Sequence, residues 1–158
     1  MFIATNKLFY ILLKMIQIKK ITAAETYSIR LEVLRKNVPL PHKFKEDLDE
    51  DTFHLGAFKN EKLIAVATFI KINNSKFIGV HYQLRGMATL QNYQGLGAGK
   101  LLIENAIALL KLKKIDILWC NARLIAVEFY KKQGLQMFGD KFIVPYVGEH
   151  YVMFIELN

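Results

Sequence analysis

The chain has 158 residues, 53% of them hydrophobic and 23% charged, which suits one domain whose core hides roughly two-thirds of the unfolded surface. That apolar fraction excludes a disordered chain, and three prolines with nine scattered glycines exclude collagen-like or low-complexity character. Twenty-two Lys and Arg against fourteen Asp and Glu give a formal charge of +8. The excess points to an anionic partner, whether nucleic acid, membrane surface or phosphorylated small molecule, without choosing among them. The single cysteine, Cys120, excludes an intramolecular disulfide and a Cys-rich zinc site and suits a reducing compartment, read as cytoplasmic.

Residues 1–14 hold an apolar run over 8–13 that is far short of the ~20 residues a membrane span needs. No small-residue cleavage pattern follows it, so this stretch is expected to be a leader or overlong start ahead of a domain over residues 15–158. Alternation over residues 16–21 predicts a strand. Thr22 is a good N-cap for a helix from Ala23 to about Lys36, with Ile29, Val33 and Leu34 on its apolar face. Pro39 and Pro41 then break regular structure ahead of an acidic loop, residues 47–51.

Apolar runs over residues 53–58, 62–72 and 77–90, parted by turns at 59–61 and 73–75, predict an antiparallel meander. Gly95, Gly97 and Gly99 lead into a second helix, with Leu102, Ala106, Leu109 and Leu110 at helical spacing. A short apolar strand over residues 115–120, a helix over 122–133 closed by Gly134, and strands around 135–138 and 150–157 complete the chain. The order β-α-β-β-β-α-β-α-β-β describes an α/β fold, a mixed sheet with helices packed on it.

The chemical signal is the glycine-rich turn between a strand and a helix. Such a turn aims unpaired backbone N–H groups and the positive end of the helix dipole at one point. Glycine lets the backbone approach a phosphate closely, so the turn is a candidate pyrophosphate cradle. A phosphate loop of the Walker type fails twice, because position 94 is Gln and position 101 is Leu. The dinucleotide fingerprint G-x-G-x-x-G fails on spacing.

The spacing Gln94-x-x-Gly97-x-Gly99 resembles the [Gln/Arg]-x-x-Gly-x-[Gly/Ala] motif of the GCN5-related N-acetyltransferase superfamily. Farther along, Ala126-x-x-Phe129-Tyr130-x-x-x-Gly134-Leu135 is similar to the A-x-x-[Leu/Phe]-Tyr-x-x-x-Gly-Phe helix of these enzymes, and the order of elements agrees. The resemblance implies the acyl-CoA N-acyltransferase fold: a central, mostly antiparallel sheet, splayed between its fourth and fifth strands and flanked by helices. It implies acetyl-CoA as acyl donor and an amine as acceptor, joined in a ternary complex. By the same resemblance Met87, Ala88 and Thr89 would face the pantetheine arm and acetyl group. Gln94, Gly95, Leu96, Gly97, Ala98, Gly99 and Lys100 would hold the pyrophosphate, and Tyr130 would protonate the departing thiolate. In many members an Asn stands seven residues before that Tyr. Arg123 occupies the place here, and Asn121 is the nearest substitute for contacting the pantetheine.

The general base is less legible. His81 on the meander and His150 at the last strand are candidates, with the acidic loop behind them; imidazole changes charge between about pH 5 and 8. Cys120, following an apolar strand, reads as an inert packing residue rather than an acetyl carrier. Arg30, Arg35, Lys43 and Lys45 flank the expected acceptor entrance, either as solvated surface or to recognise a carboxylate or phosphate. No His, Asp and Glu cluster has metal-ligand spacing, so no metal is predicted. No nucleic-acid or membrane partner is expected, and a homodimer is an open option. The rival reading is a non-catalytic module on the same scaffold, sensing CoA or binding nucleic acid.

Overall fold

The computed structural model describes Lys7, Ile11 and residues 15–158; apart from those two positions, the leader expected over residues 1–14 lies outside the described residues. Seven strands form one sheet in the order β1-β2-β3-β4-β5-β7-β6. They are β1 (Gln17–Ile21), β2 (Phe53–Lys59), β3 (Lys62–Ile70), β4 (His81–Thr89), β5 (Ile117–Arg123), β6 (Gln136–Val144) and β7 (Gly148–Glu156). Every neighbouring pair is antiparallel except β4 and β5, which run parallel. Among the described residues three α-helices pack on the sheet: α1 (Ala23–Leu34), α2 (Ala98–Leu112) and α3 (Val127–Lys132).

Local chemistry accounts for both long helices. Thr22 caps α1 through a capping box: its hydroxyl accepts from the Glu25 N–H, and the Glu25 carboxylate accepts from the Thr22 N–H at 2.7 Å. Gly97, at φ 88°, is the N-cap of α2. β3 is buried from Ile64 to Ile70 because helices cover both faces. Leu102, Ile103, Ala106 and Leu110 of α2 pack with Leu55, Ile64 and Leu118 on one face. Ile29 of α1 packs with Val66 and Ala88 on the other. Beyond α1 that second face is covered by the loop after β3, whose Ile72 and Phe77 pack on Ile117, Trp119 and Val152.

Two expectations need correction. The apolar run 77–90 is a strand only from His81, because Phe77 is spent on covering Trp119 and Phe154. The helix expected from Ala122 begins at Val127, after a single 3-10 turn over Leu124–Ala126. Ala122 and Arg123 instead extend β5, where they pair with Tyr151 and His150 of β7. Strand alternation then puts Asn121 and Arg123 on the α1 face, with Trp119.

Candidate active site

The sheet opens where β4 and β5 part. Their parallel pairing runs from His81/Ile117 to Leu84/Cys120 and stops, although β4 continues to Thr89 and β5 to Arg123. Past that point the backbone groups of β4 that face β5 have no strand partner. A bulge sharpens the divergence: Val66 pairs with Ala88 but Thr68 with Arg85, so Gly86 and Met87 together oppose Ala67. Gly86 sits at φ 60°, and a Cβ there would lie 2.8 Å from both Arg30 Nε and the Phe44 ring. Glycine is required on both counts.

A cleft of about 330 Å³ occupies the opening. From β4 come Gln83, Leu84, Arg85, Gly86 and Met87; from β5, Cys120, Asn121 and Arg123; from β7, His150. Tyr130 of α3 closes it, and Leu34, Arg35, Leu40 and Phe44 wall the α1 side. Gln83, Arg85, Asn121, Arg123 and His150 occupy the α1 face by strand alternation. Tyr130 and Cys120 belong to the core cluster on the α2 face, so the cleft passes through the sheet.

Tyr130 is 8% exposed. Burial is the main reason its phenol is held well above the ordinary value, and Arg123 pulls weakly the other way. It therefore carries its proton throughout the neutral range. Cys120 is buried, which pushes its thiol up to about 12 and leaves it a poor nucleophile.

His150, 6% exposed, has Nδ1 placed 2.8 Å from the Gly148 carbonyl. A carbonyl only accepts, so Nδ1 carries a proton there and Nε2 holds the lone pair of the neutral ring. The Phe142 ring lies 5.7 Å from the imidazole. His81 is placed differently. It starts β4, at the end opposite the opening, and is 1% exposed. Its Nδ1 accepts from the Asn74 N–H at 3.0 Å, and Nε2 has no partner. The structure brings His150 to the cleft and leaves His81 out of it.

The glycine turn adjoins the open end of β4. Gln94 donates to the Thr89 carbonyl at 3.3 Å, tying the turn to the strand. No side chain caps α2, so the amides of Ala98, Gly99 and Lys100 have no partner within the helix. Added Cβ atoms at Gly95 and Gly97 would meet open space. The turn thus leaves unpartnered amides beside open space. Leu96 is exposed above it, and Lys100 stands 3.7 Å from Glu104. Among the described residues no group of three or more His, Cys, Asp or Glu side chains is arranged to hold a metal ion. No described helix is long and apolar enough to cross a membrane.

The basic residues near the entrance divide. Arg35 lines the cleft. Arg30, read as a flanking surface residue, is fully buried and bound to Asp47, the first residue of the acidic loop. That pairing takes Asp47 out of contention as a base. Lys43 lies 5.0 Å from the Tyr27 ring, away from the cleft wall. Sequence reasoning missed Arg85 and Arg123 as cleft residues; strand alternation along β4 and β5 was the signal that would have placed them on the same face.

Comparison with known proteins agrees with this architecture. The model of the Acetyltransferase (GNAT) family matches residues 18–135. An uncharacterized N-acetyltransferase of Bacillus subtilis (strain 168), YitI, is 37% identical over 146 residues, 91% of this chain and 98% of that protein. The crystal structure of Escherichia coli ElaA superposes with a TM-score of 0.73 at 18% identity, covering 89% of this chain and 99% of that one. An acyl-CoA N-acyltransferase from Pseudomonas aeruginosa gives 0.71, also at 18% identity and with the same coverage of both chains. With the family match spanning most of the domain, the chain belongs to the Acetyltransferase (GNAT) family.

Proposed function

We propose that this acetyltransferase moves an acetyl group from acetyl-CoA to a primary amine, by direct attack of the amine on the thioester within a ternary complex. The observation that carries the reading is the gap between β4 and β5 beyond Leu84 and Cys120, with the uncapped α2 cradle at one end and Tyr130 on one side. Such a gap suits a pantetheine arm, which can complete the unpaired backbone of β4. The amides of residues 95–100 would hold the pyrophosphate, with Met87, Ala88 and Thr89 along the arm and Asn121 opposite.

The two faces of the cleft support a division of the proton transfers. His150 Nε2, on the α1 face, takes the proton that the amine loses as its nitrogen bonds to the acyl carbon. Backbone amides of β4 meet the carbonyl oxygen as charge grows on it. Tyr130, on the opposite face, gives its proton to the sulfur as the C–S bond breaks. The products are an amide and the free thiol of CoA; solvent reprotonates the phenolate and takes the proton from the imidazolium. Arg123, near Tyr130, offsets part of the cost of the transient phenolate.

The test is thiol release from acetyl-CoA against a panel of amines, with the N-acetyl product identified by mass. Longer acyl-CoA donors define the acyl preference. Tight CoA binding without thiol release across the panel would favour the sensing module instead. A Cys120→Ala protein that keeps turnover, with no acetyl adduct on the wild-type chain, supports direct attack over a covalent relay.

A further inference from the structure

The cleft wall carries more positive charge than the transfer chemistry needs. Arg35, Arg85 and Arg123 all line it, and no Asp or Glu does. Arg30 adds a fourth guanidinium just behind Gly86 and Phe44; its Nε has no partner, and its guanidinium centre lies 4.1 Å from the Phe44 ring. Arg85 stands on the same ring at 4.2 Å. Two carboxylates lie nearby. Asp47 is fully engaged by Arg30, at 2.8 and 3.0 Å, and Glu46 reaches Arg85 only at 3.5 Å.

The remaining donors point to a guest. Arg35 uses Nε on the Pro41 carbonyl and Nη1 on the Leu34 carbonyl, leaving Nη2 spare. Among the described residues Arg123 makes no side-chain hydrogen bond or ion pair. Like charges held together in a half-buried cleft repel unless an anion joins them. Consistent with that crowding, burial and then Arg123, Arg85 and Arg30 pull the Arg35 guanidinium below its ordinary value.

We propose that the acceptor is a small amine bearing a compact oxyanion, a carboxylate or phosphate, which Arg35, Arg85 and Arg123 hold while the amine faces His150. The inference rests on the amine-transfer reading and narrows its substrate. Arg123 and His150 are direct cross-strand partners, and such pairs stand with Cβ atoms about 4.5–5.5 Å apart. The anion and the amine are therefore separated by only a few bonds, as in an α-amino acid or a 2-aminoethyl phosphate. A cleft of about 330 Å³ is at the small end for ligand sites. Guanidinium forks match either oxyanion.

The experiment compares matched amines in the thiol-release assay: glycine with glycinamide, alanine with alaninamide, and 2-aminoethyl phosphate with ethanolamine. The anionic member of at least one pair is expected to have a kcat/KM at least tenfold higher, and which pair responds separates carboxylate from phosphate. Arg123→Gln and Arg35→Gln should each raise KM for that acceptor about tenfold, the scale of one charge-assisted hydrogen bond. KM for acetyl-CoA should stay unchanged. Neutral amines serving as well as anionic ones, or a loss confined to the KM for acetyl-CoA, overturns the proposal while amine transfer stands. If no amine releases thiol, calorimetric titration of the same anionic amines into CoA-saturated protein decides. Binding that Arg123→Gln abolishes supports the anion site although transfer has failed, and absence of binding overturns it.

Discussion

Arg30 and Asp47 meet in full burial, with Nη1 and Nη2 of the guanidinium donating to the two carboxylate oxygens at 2.8 and 3.0 Å. The pair anchors a ring of hydrogen bonds. Arg30 Nη2 also donates to the Thr68 hydroxyl, and that hydroxyl lies 2.7 Å from His54 Nδ1. His54 Nε2 lies 2.9 Å from the Asp47 carbonyl. Because that carbonyl can only accept, Nε2 carries the proton and Nδ1 receives one from Thr68. Asp47 further accepts from the Phe44 N–H at 2.9 Å, and Arg30 donates to the His42 carbonyl at 3.0 Å. These contacts pin the loop that supplies Leu40 and Phe44 to the cleft, so one buried ion pair shapes the α1 side of the cleft.

Asp47→Asn should therefore cost about 3–5 kcal/mol, because it strands the Arg30 charge in the core. Urea unfolding measures this. Replacing both partners, as in Arg30→Met with Asp47→Leu, should recover much of the loss. The pH dependence has a definite sign. Burial alone would raise the Asp47 carboxyl, but hydrogen bonds from Arg30 and the Phe44 amide, together with the Arg30 charge, hold it below its ordinary value. Stability from this group is then fully present above about pH 4, the unfolded range, and lost as pH falls through the depressed folded value. The urea midpoint of the wild type should drop more steeply in acid than that of Asp47→Asn; parallel curves would refute the assignment.

The ion pair also shows what a sequence reading reaches and what it does not. The glycine turn at Gln94, Gly97 and Gly99 and the helix that carries Tyr130 were legible as local structure, because the chemistry of a turn and its following helix is local. Thr22 was legible for the same reason, through the Glu25 three residues on. Arg30 read as surface because its partner lies seventeen residues later in a Pro-containing loop, and no periodicity links the two. Arg123 read as helical because residues 122–126 have helix-compatible composition. Pairing with His150 across β7 overrides that preference. The cleft is assembled from four separate segments, so its charge became visible only in three dimensions.

Gly97 and Gly99 should fail in different ways. At φ 88° an alanine at position 97 adopts the left-handed region at a cost of about 1–2 kcal/mol. It also turns the first amides of α2, so KM for acetyl-CoA should rise several-fold with kcat little changed. At position 99 the backbone is helical, but a Cβ would lie 3.1 Å from Phe129 Cζ. Phe129 packs edge-on against Tyr130 at 5.2 Å, so Gly99→Ala should displace the phenol and lower kcat. Steady-state kinetics with acetyl-CoA varied separates the two patterns, and the same pattern for both would count against the division.

Tyr130→Phe removes the proposed acid and leaves the ring packing. Turnover should fall about 10²–10⁴-fold, the range for general acid–base catalysis, while acetyl-CoA affinity measured by calorimetry stays within about twofold, since uniform binding is untouched. The decisive comparison uses an acetyl thioester of a more acidic thiol, whose thiolate departs without a proton. The deficit of Tyr130→Phe should shrink with that donor. A deficit of the same size would assign Tyr130 to packing alone.

His150→Gln tests the base. The wild-type ring is set with Nδ1–H on the Gly148 carbonyl and Nε2 free to accept the amine proton. His150→Gln removes that acceptor and should lose most of the turnover. Amines of low basicity are already neutral at the assay pH, and for them the variant's deficit should be smallest. His81→Gln provides the control. His81 accepts the Asn74 N–H at the far end of β4 and does not line the cleft. Its replacement should lower the urea midpoint and leave kcat/KM intact. A kcat/KM lowered by His81→Gln and untouched by His150→Gln would reverse the assignment.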